Sequence, residues 1–231
     1  MKKIILIVPM LITAVGFAFA GFRLCTDKSG ATVASRLSEF GTVADARWKP
    51  FFTAAGVAYP AKHCVFVAIK DVKSLRVYAG DTPEKMCFIR ALPILAASGG
   101  PGPKLREGDY QVPEGVYPVE SLNPQSLYHV ALRVGYPNAD DRLHGREDGR
   151  PRLGGDIMIH GKNVSAGCLA MGDAGAEDLF TLAARTGEKS ITLIFCPTDF
   201  KKNPGFIPPK DAPAWTAERY EELKRRVAEL P

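Results

Sequence analysis

Two segments dense in chain-breaking residues limit what this chain can fold into. Residues 97–115 read ASGGPGPKLREGDYQVPEG, and residues 135–155 place glycines at 145, 149, 154 and 155 among polar residues. Proline lacks an amide hydrogen and glycine costs backbone entropy in a regular element, so both segments read as loops. What they leave is a set of short apolar runs. CVFVAIK (64–70) and SLRVYA (74–79) read as a hairpin turning at Asp71-Val72-Lys73, and MCFIRALPILA (86–96) as a strand whose Pro93 marks an edge or a bulge. Further strands are expected at 116–121, 128–134, 157–159 and 191–195. Leu37, Phe40, Ala44, Trp48 and Phe51 recur at helical spacing over 34–52. A second helix follows Cys168, capped by Asp173 and stopped by Gly187. A terminal helix puts Tyr220, Leu223, Val227 and Leu230 on one face, with its charges in solvent. Many short strands with few helices predict an α+β fold that is mostly β. The 231 residues, 46% of them apolar, suffice to bury a core and exclude disorder as the main state.

The chain begins MKKIILIVPMLITAVGFAFA: two lysines, an uncharged apolar stretch, and Ala18-Phe19-Ala20 as a cleavage signature. Residues 1–20 read as a signal peptide; left uncut, residues 4–20 are almost long enough to anchor the chain in a membrane. The formal net charge is +5, falling to +3 over residues 21–231, and no Lys/Arg run accompanies it, which argues against nucleic acid. Cys25 lacks the small residues expected before a lipid-modified cysteine. The other cysteines are Cys64, Cys87, Cys168 and Cys196. An odd count in an oxidising compartment leaves one thiol out. Cys25, Cys64, Cys87 and Cys196 allow two disulfides in three pairings, Cys64–Cys87 among them, or stay as buried thiols.

IMIHGKNVSAGCLAMGDAG, residues 157–175, is where chemistry concentrates. A strand delivers His160 at its end and a short loop returns Cys168 to the start of a helix. A base beside a sulfur nucleophile is the minimal unit of thiol acyl transfer. A helix N-terminus next to Cys168 would draw its pKa below about 8.5. Ser165, Ala166 and Gly167 are small, so backbone N–H groups there could hold an oxyanion. The structural alternative is a plain cysteine and a hydrogen-bonded histidine. Neither residue has the paired spacing of a metal site, so no metal or cofactor is expected. The order His-then-Cys excludes a papain-like arrangement. Lys104 is followed by Leu105, and the two prolines before it remove amide donors, unlike a phosphate loop.

His160-Gly161 and Ser165-Ala166-Gly167-Cys168 resemble the catalytic signature of the L,D-transpeptidase (YkuD-type) family, in particular its YafK-like branch. Gly99 to Lys104, Arg106 to Asp109, Pro113-Glu114-Gly115, Leu122-Asn123-Pro124, Tyr128-His129 and Gly135 to Arg142 agree with that branch in order. The resemblance implies an α+β, mostly β catalytic domain at residues 59–198. It would be preceded by a helical segment (21–58) and followed by a Pro-rich segment and helix (199–231). It implies a periplasmic enzyme on peptidoglycan stem peptides: Cys168 as nucleophile, His160 as general base, the Gly161 carbonyl as orienter of the imidazole, and amides around Gly167 and Cys168 as oxyanion donors. Ala166 and Ala170 depart from the larger family, the second removing an arginine, so substrate carboxylates are expected to meet Arg142, Arg106 or Lys104, with Ser165, His129 and Tyr136 also on the substrate side. His129 could equally be a buried strand residue, and Tyr136 to Arg142 a structural loop with an internal Asp–Arg pair. Cross-linking and hydrolytic release of a wall-attached lipoprotein stay open as outcomes. The alternative from another class is a catalytically inactive peptidoglycan-binding module.

Overall fold

A computed structural model describes residues 30–231; the signal segment and Cys25 lie outside the described residues. A helix opens the described chain as α1 (Val33–Arg36), continues through a π-helical segment (Leu37–Gly41) and runs on as α2 (Thr42–Ala54). Nine strands come after it: β1 (His63–Ile69), β2 (Ser74–Gly80), β3 (Met86–Pro93), β4 (Ala96–Ala97), β5 (Gly115–Asn123), β6 (Ala131–Val134), β7 (Met158–His160), β8 (Leu169–Ala170) and β9 (Ile191–Cys196). Helices α3 (Ala139–Glu147), α4 (Gly172–Thr186) and α5 (Thr216–Ala228), with a short 3-10 turn at Glu188–Ser190, complete the described elements. The strands form one sheet in the order β3-β2-β1-β9-β5-β6-β7-β8-β4. The fold is α+β and mostly β.

The apolar runs are continuous in β1 and β9 because both faces of those strands are covered. Phe66, Ala68, Leu193 and Phe195 face a core shared with Trp48, Phe52, Leu179 and Phe180 of α2 and α4. Val67, Ile69, Ile194 and Cys196 face a second core under Tyr220, Leu223 and Val227 of α5. Across β5 the pairing changes. Gly115–Pro118 pair with β9, while Val119 and Ser121–Asn123 pair with β6 past an irregularity between Val119 and Ser121. Such a bulge bends a strand and re-aims the residues past the bend. Beyond it the strands shorten, and only one face, with Leu132, Ile159 and Leu169, points into the core.

Several expectations need correcting. The segment read as a polar loop at 135–155 contains α3. Its sequence has no apolar stripe, but Asn138 and Asp141 form a reciprocal capping box, each side chain accepting the other's backbone N–H. The strand expected at 128–134 starts only at Ala131, since His129 has φ +79°, incompatible with a strand. Cys64 and Cys87 pair opposite the same residue, Ala79, from either side of β2. Two strand spacings, about 9–10 Å, put them beyond disulfide reach. Cys64 contacts Thr186 Oγ1 instead (3.8 Å), and among the described residues no disulfide joins Cys64, Cys87 and Cys196. Arg219 of α5 is not solvated: its guanidinium is buried against Asp140, Asp141 (2.9 Å) and the Glu114 carbonyl (3.2 Å).

Candidate active site

The site lies on the face of the short-stranded half opposite the core, where His160 is buried (1% exposed) and Cys168 half-buried. Strands β7 and β8 run parallel with Ile159 opposite Leu169 and His160 opposite Ala170. Ile159 and Leu169 point into the core, so His160 points to the other face. Continuing the register one step back sets Cys168 opposite Met158, on the same face as His160. A strand spacing of about 4.8 Å and two rises of about 3.3 Å put the two Cα atoms about 8 Å apart, a diagonal pair. The loop between them is pinned near its His160 end. Asp173 Oδ1 accepts the Lys162 N–H (2.9 Å), and its other oxygen meets Lys162 Nζ (2.7 Å). Asp173 is therefore not the cap of α4, which starts one residue earlier after Met171 without a side-chain cap.

The His160 Nδ1 lies 2.6 Å from the Gly161 carbonyl. A carbonyl only accepts, so Nδ1 carries the proton and Nε2 keeps its lone pair. Tyr128 holds this arrangement twice. Its ring stacks on the imidazole (centroids 4.5 Å, 28° between planes), and its carbonyl accepts the Gly161 N–H (3.0 Å). A Cβ at Gly161 would sit 2.6 Å from both the Tyr128 carbonyl and Asp173 Oδ1, so the close approach demands glycine. Burial disfavours the imidazolium and pulls the His160 pKa below its ordinary value, partly opposed by the Gly161 carbonyl.

The thiol differs from expectation. Cys168 leads into β8, and α4 begins four residues later at Gly172. The dipole acts within about the first turn, so it does not govern the sulfur. Burial pushes the Cys168 thiol up, with Asp156 adding to the rise; the Met158 backbone amide and the Lys104 ammonium work against it. The Sγ approaches the Asp156 carbonyl at 3.6 Å. Burial thus favours the neutral form of both groups, and the thiol proton is directed at the Asp156 carbonyl. The Gly167 amide, expected as an oxyanion donor, donates instead to Ser98 Oγ (2.6 Å). Gly167 has φ +109°, a backbone glycine tolerates. Among the described residues nothing accepts from the Cys168 N–H.

The residues expected on the substrate side divide. Lys104 is buried near enough to act on the Cys168 charge, its Nζ held by Asp109 (2.6 Å) and the Arg106 carbonyl (2.9 Å). Arg106 lines a neighbouring cavity of about 390 Å³ with Gln111, Arg150 and Pro209. Ser165 bonds the Cys168 carbonyl (2.7 Å). Tyr136 is buried and its hydroxyl donates to Lys104 and Leu153 carbonyls (both 3.3 Å), so it supports the Lys104 loop and cannot present itself to a ligand. His129 is drawn away to Glu177 (3.0 Å) and packs near Phe40. Arg142 is exposed on α3 with its guanidinium on the Pro137 carbonyl. The expected Asp–Arg pair inside that segment is absent: Asp141 pairs with Arg219. Sequence reasoning missed Tyr128 as a support of His160 and missed Ser98, because stacking and long-range hydroxyl contacts leave no local spacing.

Fold and site define a β-rich domain whose sheet presents a histidine and a cysteine side by side from two adjoining parallel strands. The chain belongs to the L,D-transpeptidase catalytic domain (YkuD) family, whose pattern matches residues 64–194. It is 38% identical over 139 residues to the YafK proteins of Escherichia coli K12 and O157:H7; the match covers 58% of this chain and 54% of theirs. The chain thus spans about half the length of the curated relatives it matches. Among solved structures it is similar to the helical cell shape determining protein Pgp2 of Campylobacter jejuni (25% identity, TM-score 0.46, 64% of this chain and 50% of that one). It is also similar to Bd1075 of Bdellovibrio bacteriovorus (21%, TM-score 0.42, 72% and 56%).

Proposed function

We propose that this protein is an exported, cysteine-dependent acyl-transfer enzyme that acts on peptidoglycan stem peptides in the periplasm. The observation that carries the reading is the β7–β8 register, which sets a buried base with a free lone pair and a half-buried thiol on one face of the sheet. Family membership supplies the substrate class, and the N-terminal MKKIILIVPM…AFA pattern supports export.

In this reading His160 Nε2 takes the Cys168 proton as the sulfur attacks the carbonyl at the L-centre of the stem's diamino acid. The tetrahedral oxyanion is met by the Cys168 N–H. Collapse breaks the bond to the D-amino acid, whose amine leaves with the proton held on His160, and a thioester remains. An amine or water then resolves the thioester, with His160 accepting the incoming proton. A neutral resting pair suits this sequence: a sulfur that ionises only as it attacks is spared side reactions, and Lys104 is placed to favour the thiolate when it forms. Both transfer to an amine and hydrolytic release of a wall-attached lipoprotein fit these groups.

The test is incubation of residues 21–231 with tetrapeptide-bearing wall fragments, with and without an attached lipoprotein peptide, products read by mass. A mass gain means transfer, and loss of the lipoprotein peptide means hydrolysis. Cys168→Ala should reduce either product at least a thousandfold, and activity surviving that change would refute the assignment.

A further inference from the structure

The hydrogen bonds around Cys168 can be assigned proton by proton. Ser165 Oγ lies 2.7 Å from the Cys168 carbonyl, which only accepts, so the one Ser165 hydroxyl proton points there. The 3.0 Å contact between the Ser98 and Ser165 hydroxyls must then be donated by Ser98. Ser165 Oγ also accepts the Ser98 N–H (3.0 Å) and is saturated with one donated and two accepted bonds. Ser98 Oγ, its proton committed, accepts the Gly167 N–H (2.6 Å). The result is a one-way circuit from the Gly167 amide through Ser98 and Ser165 to the Cys168 carbonyl. It grips the peptide on each side of the Gly167–Cys168 bond.

We propose that Ser98 is a positioning residue for the acyl-transfer step: its hydroxyl, working through Ser165, fixes the Gly167–Cys168 peptide so that the Cys168 N–H is the oxyanion donor. This rests on Cys168 being the nucleophile. The geometry gives Ser98 two effects. It removes the Gly167 N–H from the oxyanion role, and it holds the remaining amide against rotation, a freedom that Gly167 at φ +109° would otherwise allow. A donor held in place before the charge develops is worth more than one that must reorganise. Ser98 reaches the loop from the end of β4, whose partner is β8, so the same strand pair that aligns Cys168 brings its hydroxyl into place.

The experiment compares two reactions at the same sulfur. p-Nitrophenyl acetate acylates it: sulfur attacks the ester carbonyl, an oxyanion forms, and p-nitrophenolate leaves as the thioester is made. Iodoacetamide alkylates it by displacing iodide, with no oxyanion. Ser98→Ala, which loosens rather than removes the donor, should slow acylation about ten- to hundredfold, less than the roughly hundred- to thousandfold lost when an oxyanion donor is deleted, and leave alkylation within about twofold. Ser98→Thr, which keeps the hydroxyl, should restore acylation. Ser165→Ala should reproduce the selective loss, and the double variant should lose no more than either single change, since both cut one circuit. Equal losses in both reactions would make Ser98 merely structural and overturn the proposal. Unchanged or faster acylation in Ser98→Ala would overturn it too, by showing that a freed Gly167 amide serves at least as well. If Cys168 of the unaltered protein reacts with neither reagent, the function proposed above fails first, an outcome distinct from those read on the serine variants.

Discussion

Strands β1, β2 and β9 run six or seven residues and belong to the half of the sheet packed between α2/α4 on one side and α5 on the other; β7, β8 and β4 run only two or three, and His160 and Ala170, opposite their core face, are buried as well. The first half holds the long apolar runs. The second holds His160, Cys168, Ser98 and Ser165, and three of the five non-glycine residues at positive φ among the described residues, His129, Asp156 and Lys162, flank it. Left-handed backbone at such residues costs about 1–3 kcal/mol each and persists only where the surroundings hold it. The contrast teaches how the work is divided. Long, doubly covered strands carry most of the apolar core, and short strands carry the paired histidine and cysteine. The two halves are tied together by ion pairs that cross elements. Asp178 of α4 receives Arg47 of α2 and Arg90 of β3 (3.1 Å), while Glu177 takes Arg47 (3.2 Å) and His129 (3.0 Å).

That division can be broken experimentally. The largest separation should come from Phe66→Ala set against Cys168→Ala. Phe66 is fully buried, and its truncation should cost about 3–5 kcal/mol in urea denaturation while leaving the chemistry of the folded fraction intact. Cys168→Ala should remove turnover with a melting temperature within a few degrees of the unaltered protein. Next comes the buried pair Lys70–Glu114 (2.9 Å), which also binds Gly102 and Val112 and so fastens the loop leading to Lys104. Lys70→Ala strands the Glu114 carboxylate and should cost about 3–5 kcal/mol, a stability loss that also weakens activity because the loop is shared by both halves.

A smaller effect isolates the support of the imidazole. Tyr128→Leu should lower kcat about tenfold, whereas Tyr128→Phe keeps the stacked ring and should stay near the unaltered rate. The pH profile sharpens this. Burial favours the neutral imidazole, so the acid limb of kcat/KM should lie below about pH 6.5, activity being present above that limb and lost as His160 takes a proton. Tyr128→Leu opens the ring to water and should move the limb upward; a limb already above 6.5 in the unaltered protein would contradict the burial seen here. The smallest change is expected at Arg142. Its guanidinium rests on the Pro137 carbonyl, so Arg142→Ala should alter turnover on stem peptides by less than about twofold.

Sequence alone determined the elements with strong local signals. The runs of β1, β2 and β9, the helical spacing of Phe40, Ala44 and Trp48, and the breakers of 97–115 each act through residues a few positions apart, so a linear reading finds them, though the expected Phe51 is exposed and Phe52 takes its place in the core. The His160-to-Cys168 stretch was legible for the same reason, as was the family. Helix α3 was missed because its signal is a polar capping box without an apolar stripe. What only the tertiary structure decided is the state of the site. Whether a thiol is raised or lowered depends on desolvation by groups remote in sequence, and here burial outweighs a helix end that local reading placed too close. Tyr136 and His129 turned inward, and the Gly167 amide went to Ser98, because a buried polar group must find its partner wherever the packed chain offers one, 69 residues away in the case of Ser98.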